Sequence, residues 1–361
     1  MKKALLLCIS LVGMLSFGTA QAMEKIFYLT QDAFNNTLFS QTVLNTIQAH
    51  ASAMDILAPQ IYSFSANGLM RGKLDPELLS LAKKYHLKIL PLVTNENFKQ
   101  DLLHEFLNNP SAEKRLIDSL LNLCKLYNFY GIQLDIEHVN FLDKDALTQF
   151  VQLAADAFHK QGYNLSIAVV PPLESQASLS NAHQQWVFEN WSGGYDFYAL
   201  SKSVDFFSLM AYDYHNSITP PGPIAPFQSV EKSLKAVLAD NVPADKISLG
   251  IPLYSGYWAS VPNIDSDGNF LEPSFYLKRE IIDYPTLQRV LASVNKPLLW
   301  DEDAQVPYVI FDQQGIYGFL FVENAKAFQA KLALVNQYHL RGFSAWKLSF
   351  EDPGIWDVLK K

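Results

Sequence analysis

Cysteine is nearly absent from this chain: Cys8 and Cys124 are the two among 361 residues. Cys8 lies in a stretch expected to be removed, so Cys124 would stand alone. That excludes an intrachain disulfide framework and a cysteine-held metal site. Positive charge is also scarce, with 28 Lys and Arg against 36 Asp and Glu and a formal net charge of -8. Loss of Lys2 and Lys3 takes it to about -10. So acidic a chain has no electrostatic reason to bind nucleic acid, and no nucleic-acid partner is expected. Internal repeats and low-complexity linkers are missing. Beyond the first residues, so is any apolar run long enough to span a bilayer. The eight histidines show no ligand spacing, and neither a metal nor another cofactor is expected.

What is present begins with a leader. Met1-Lys2-Lys3 is basic, residues 4–17 are apolar, and Ala20-Gln21-Ala22 has the small-x-small form of a cleavage site. This is a secretory signal peptide over residues 1–22. A membrane anchor is the alternative, but the apolar run is short for a span. No cysteine follows it to carry a lipid. The mature chain, 23–361, is expected to be exported to the periplasm or the medium, without a membrane anchor and as a monomer. Its 339 residues, drawn from a chain that is 49% hydrophobic, are enough for a large core.

Eight short runs read as strands: 25–29, 55–62, 87–93, 131–136, 165–170, 206–212, 247–253 and 342–348. Most are continuously apolar, the pattern of parallel strands covered on both faces. Helical spacing lies between them, over 76–85 after Asp75, 112–127, 145–161, 230–239 and 325–338, with apolar residues on one face. Strand and helix alternating eight times predicts a (β/α)₈ TIM barrel, an open doubly wound sheet being the alternative. Strands seven and eight are separated by about 90 residues with aromatic β-like pieces at 275–277, 308–311 and 316–321. This predicts a small α+β insertion over about 257–322.

The segment Tyr130-Gly131-Ile132-Gln133-Leu134-Asp135-Ile136-Glu137 carries the chemistry. Side chains alternate along a strand, so Gln133, Asp135 and Glu137 share one face and three apolar residues share the other. In a barrel the polar set lines the interior, with Glu137 nearest the C-terminal mouth, where such barrels place active sites. Two neighbouring buried carboxylates disfavour joint ionisation, which keeps a proton on one of them. A structural carboxylate pair tied to an arginine or to backbone is the competing reading.

This segment resembles the Asp-x-x-Asp-x-Asp-x-Glu motif of glycoside hydrolase family 18. Met210-Ala211-Tyr212-Asp213, Gly250-Ile251-Pro252-Leu253-Tyr254 and Gly342-Phe343-Ser344-Ala345-Trp346 are similar to that family's segments on strands six, seven and eight. Tyr212-Asp213-Tyr214-His215 with residues 221–226, Trp300-Asp301, and Pro307-Tyr308 resemble its spore cortex-lytic, peptidoglycan-directed N-acetylglucosaminidase branch. The resemblance covers nearly all of the mature chain. It implies retaining, substrate-assisted hydrolysis of β-1,4 bonds in glycans containing N-acetylhexosamine, peptidoglycan first and chitin second. Glu137 would be the acid and later the base, Asp135 would orient the acetamido nitrogen, and Tyr212 would bind the acetamido oxygen. Met210 would pack near the acetamido group, Asp213 would help set the sugar, and Trp346 would form the floor, against a plain core tryptophan as the alternative. Two positions depart from the motif: Tyr130 and Gln133 stand where the family has Asp. An amide at 133 can hydrogen-bond but not share a proton, so Asp135 is expected to titrate differently from its counterparts.

Gln133 also counts among the candidate substrate-binding residues. The weaker candidates are Tyr62, Gln60 and Asn95 near the mouth, the loop 191–198, and Tyr254, Tyr257 and Trp258. His138, pointing away from Glu137, is expected to be structural. The opposing functional class is a sugar-binding lectin on the same scaffold, against which the presence of Glu137 argues.

Overall fold

The computed structural model describes residues 23–31, 39–172, 182–313 and 315–360, so the expected leader at 1–22 lies outside the described residues. The barrel strands, labelled β1–β8, are Glu24–Thr30, Ile56–Phe64, Leu92–Asn95, Gly131–Asp135, Asn164–Val169, Phe206–Leu209, Ile247–Pro252 and Gly342–Trp346. Each pairs in parallel with the next. Closure comes from β1, which pairs with both β2 and β8. The barrel is therefore closed, and an open sheet is excluded. Arg341 and Glu24 clamp the seam at its lower end, with Nε–Oε1 at 2.6 Å and Nη2–Oε2 at 3.2 Å.

Two expected strands are shortened. Lys88–Ile89 pairs with β2, and Leu92–Asn95 resumes beyond Pro91, which has no N–H for the ladder. The sixth strand stops at Leu209 rather than 212. There Ala211 N–H bonds Leu209 O at 2.7 Å and Tyr212 N–H bonds Met210 O at 2.9 Å, tight turns that lift the chain onto the mouth.

Ile132, Leu134 and Ile136 are fully buried against the outer helices, as alternation requires. The helix Pro76–Tyr85 starts at Asp75, whose Oδ1 accepts from Glu77 N at 2.8 Å, with Pro at its first turn. Pro110–Tyr127 begins earlier than expected because Asn109 caps Ala112 N at 3.2 Å. No helix among the described residues is long and apolar enough to cross a membrane.

Between β7 and β8 the chain forms a five-stranded antiparallel sheet, in the order Phe270–Ile282, Ser255–Ile264, Ile316–Phe321, Val306–Gln313, Leu299–Asp301. The short piece read at 275–277 belongs to a 13-residue strand. The turn that makes this hairpin is built by Asp265, whose Oδ1 accepts from Asp267 N and Asn269 N, both at 2.9 Å, with Gly268 at φ 86°. Tyr284–Val294 covers one face, Leu287 packing with Ile282, Val309, Phe311 and Leu320. From the other face, Trp258, Phe319 and Phe321 join a cluster with Tyr212, Tyr254 and Trp346.

A buried ion pair fastens this sheet to the barrel. Lys331 Nζ lies 2.7 Å from Glu323 Oε2, with the side chains 1% and 2% exposed. Glu323 N–H also bonds Ser255 Oγ at 3.1 Å, at the start of the hairpin. Lys331→Met strands a buried carboxylate, so urea unfolding should show a loss of about 3–5 kcal/mol. Adding Glu323→Leu should recover most of it; a Lys331→Met loss below about 1 kcal/mol would deny the pair this role.

Candidate active site

β4 aims the site. At its start Gly131 lets β5 approach so closely that a Cβ there would sit 2.0 Å from Asn164 O. Gln133 and Asp135 then point inward, and Glu137 lies just past the end of the ladder. Its backbone is held on both sides by one amide: Asn95 Nδ2 donates to Glu137 O, and Glu137 N–H donates to Asn95 Oδ1, each at 3.1 Å. Tyr195 OH donates to Ile136 O at 2.7 Å. Asn95 is 0% exposed and does not reach the cavity, so its expected sugar contact is corrected to a backbone clamp. Asn95→Ala should lower kcat about tenfold with little change in KM, because small misplacements of a reacting group are costly. An unchanged kcat would show that the clamp is idle.

A cavity of about 410 Å³ opens at the C-terminal mouth. Asp135, Glu137, Met210, Tyr212, Asp213, Tyr254 and Trp346 all line it, with Gln60 and Trp191. Seven of the ten candidate residues, from four barrel segments, thus meet in one space. Besides Asn95, two do not. Gln133 is fully buried beneath Asp135. Its Oε1 accepts from Tyr28 OH at 2.7 Å, and its Nε2 donates to Ser208 Oγ at 2.9 Å and Ser166 Oγ at 3.2 Å. All its capacity goes to the barrel interior, not to substrate. Tyr62 faces the outer helices. The β2–β3 register slips between Gln60 and Tyr62, and this bulge turns Tyr62 outward while Gln60 stays inside.

The electrostatics follow from depth. Asp135 is 2% exposed, and burial pushes its pKa up to about 6, opposed by Gln60 Nε2, which donates to Oδ2 at 3.0 Å. Glu137 keeps some accessible surface in the cavity, yet its carboxyl is pushed higher, to about 8. Burial is the larger cause; the charges of Asp135 and Asp213 add to it. The Trp191 indole N–H is close enough to favour the ionised form. It makes no hydrogen bond of normal geometry, although it is buried. At neutral pH Glu137 therefore holds a proton that it can give to a bound atom, next to a carboxylate that can answer developing positive charge.

The structure adds Arg279, which sequence reasoning did not identify. It projects from the insertion hairpin and ion-pairs with Asp213, with its guanidinium 5.7 Å from the Trp258 ring centre. Trp258 itself is buried and serves as the support. Tyr257 turns the other way and stacks on Phe311, 6.3 Å between centroids. Asp213 has φ 59°, the left-handed conformation that Asp tolerates, and this reverses the chain at the rim. His138 lines a second cavity of about 440 Å³ with Trp186, Trp191, Asp213 and Ile218.

This geometry can be set beside known proteins. The family model of glycosyl hydrolases family 18 matches residues 18–351. The chain is similar to the putative sporulation-specific glycosylase YdhD of Bacillus subtilis (strain 168), 26% identical over 333 residues that cover 90% of this chain and 72% of that protein. It is also similar to the cortical fragment-lytic enzyme of the same organism, 28% identical over 304 residues covering 82% and 66% respectively. In fold it resembles the spore cortex-lytic enzyme SleL of Bacillus megaterium QM B1551, with a TM-score of 0.78 and 23% identity over 94% of this chain and 73% of that one. The family match spans nearly the whole barrel and the insertion, and the chain belongs to glycosyl hydrolase family 18 as a glycoside hydrolase.

Proposed function

We propose that the protein is an exported, monomeric retaining glycosidase. It cleaves β-1,4 bonds of N-acetylhexosamine-containing glycans, peptidoglycan first, by substrate-assisted catalysis. The observation that carries this reading is that Glu137, its carboxyl pushed up to about 8, shares one cavity with Asp135, Tyr212 and Trp346. A pyranose sits with its C–H face on the Trp346 ring. The acetamido oxygen of the substrate attacks the anomeric carbon as Glu137 gives its proton to the departing oxygen, and the glycosidic C–O bond breaks. Asp135 accepts the acetamido N–H and stabilises the positive charge of the oxazolinium. Tyr212 donates to the acetamido oxygen and aligns it. Glu137, now ionised, takes a proton from water, which adds to the anomeric carbon from the vacated side as the bond from that carbon to the acetamido oxygen breaks, so the acetamide is restored and the configuration retained.

Peptidoglycan is preferred because the curated relatives include an enzyme named for lysis of cortical fragments. Chitin-type oligomers are the second reading. Incubation with purified peptidoglycan and with chitin oligomers, followed by assay of new reducing ends, tests both. Release from peptidoglycan, with the first-formed anomer β by NMR, is the expected result. Absence of release from either polymer, with binding intact, would leave a lectin instead.

A further inference from the structure

The end of the barrel opposite the mouth carries a cavity that the mechanism does not use. It encloses about 570 Å³. Barrel strands begin at this end and the covering helices finish there. The cavity lies between the last turns of Pro76–Tyr85 and Pro110–Tyr127 and the residues just before β4. Phe129 and Tyr130 line it, with Tyr127 and the 70% exposed Leu126. Tyr127 stacks on Phe129, 5.4 Å between centroids.

The charge of this wall is opposite to that of the chain. Lys83 and Lys88 line it, both exposed, and no Asp or Glu does. Lys88 Nζ stands 4.2 Å from the centre of the Tyr130 ring. Tyr130 is one of the two departures from the Asp-x-x-Asp-x-Asp-x-Glu motif. An Asp there would bring a carboxylate to the wall that Lys88 shares; the tyrosine brings a ring that holds the ammonium. Carboxylates on adjoining elements are engaged by other cations. Asp55, whose carbonyl accepts from Lys88 N at 3.1 Å, pairs with Lys25 at 3.4 Å. Glu24 pairs with Arg341 at 2.6 Å, and Asp118 with Lys114 at 2.7 Å. Among the described residues neither Lys83 nor Lys88 has an acidic partner.

The helix ends do not supply the missing negative charge. Open carbonyls at a helix C-terminus attract cations. Here both ends are closed: His86 and Leu87 donate to Ala82 O, and Asn128 and Phe129 donate to Cys124 O. His86 at φ 58° and Asn128 at φ 54° make these left-handed caps. The dipole also accounts for Lys83 at most, because Lys88 lies in the strand piece Lys88–Ile89, outside any helix.

A concave wall of aromatic and aliphatic surface with two free ammonium groups suits a sugar chain that bears carboxylates. The rings take C–H faces, and the lysines take the charges. A chain of formal net charge -8 is repelled by an anionic polymer at long range, so attraction must come from a local cationic site. The location gives it a use. A strand held at this end cannot enter the mouth of the same molecule, and holding it keeps the mouth at high effective concentration among neighbouring strands.

We propose that this cavity is a non-catalytic holding site for the carboxylate-bearing glycan polymer on which the mouth acts, with Lys83 and Lys88 as its anion contacts. The inference rests on the peptidoglycan reading above.

The test is co-sedimentation with purified peptidoglycan sacculi, using Glu137→Gln as the parent so that the polymer stays intact. Lys83→Glu with Lys88→Glu in that parent should bind about tenfold more weakly at ~20 mM salt, and the gap should close by ~300 mM. Lys160→Glu with Lys296→Glu, the same charge change at exposed lysines elsewhere, should stay within about twofold of the parent. Sacculi with their carboxylates converted to methylamides should bind the parent about as weakly as untreated sacculi bind the double variant. Unchanged affinity in that variant, an equal loss in the control pair, or full binding to amidated sacculi would overturn the holding site. Loss of binding to phosphatidylglycerol vesicles while sacculi still bind would make the cavity a lipid contact and overturn it too. With Glu137 restored, the double variant should keep kcat/KM on a soluble chitin tetrasaccharide within about twofold and release reducing ends from sacculi about tenfold more slowly. Equal slowing on both substrates would place the effect in the mouth and overturn the proposal. If wild type releases nothing from sacculi, the peptidoglycan reading fails by itself, and the sedimentation results still decide the cavity.

Discussion

Glu137→Gln is expected to lower glycan hydrolysis by about 10³-fold while oligosaccharide binding persists. The amide keeps the shape and a hydrogen-bond donor but cannot release a proton. Kinetics on soluble oligosaccharides and calorimetric Kd values check the two halves, and activity within tenfold of wild type would remove Glu137 as the acid. The same substitution carries a stability signature. A carboxyl whose pKa is raised on folding disfavours the folded state when it ionises, so the penalty grows as pH rises from the unfolded value toward about 8. Gln carries no such penalty. The variant should melt above wild type by a margin that widens from pH 5 to pH 8, whereas a constant margin would mean that Glu137 is not strained by its surroundings. For wild type, kcat/KM should decline above about pH 8 as the acid loses its proton.

Asp135→Asn is the second large effect, a fall of about 10²–10³-fold. It removes the charge that answers the oxazolinium. It also removes one of the charges that keep the proton on Glu137, so the alkaline limb of the pH profile should move to lower pH. A purely structural Asp135 would leave the limb in place. Since Gln60 donates to Asp135 at 3.0 Å and Gln133 is engaged elsewhere, the limb reports on Asp135 and Glu137 with little interference from position 133.

Much of this was legible in the sequence because it depends on local periodicity. Continuous apolar runs located all eight barrel strands, and alternation within 131–137 separated the inner from the outer residues correctly. Strict alternation also caused the main error. A bulge adds one residue to a strand without any compositional mark, and past Gln60 it moved Tyr62 to the helix side. Alternation gives a side but no measure of access, so Gln133 counted as a substrate contact although it is sealed, while Glu137 meets the cavity. Asn95 was recognised near the mouth, but its clamp on Glu137 joins residues 42 apart. Arg279 and Asp213 are 66 residues apart, and Trp186 lies in a segment with neither helical nor strand periodicity to place it. Such pairings exist only once the barrel has brought loop ends together.

The guanidinium that answers Asp213 arrives from the hairpin, not from the barrel. During synthesis, residues 137 and 213 leave the ribosome well before residue 279. The strand that closes the barrel, β8, lies further on still. Closure of the barrel and the pairing of Asp213 both draw on the last third of the polypeptide, so the site is assembled only when that third is in place.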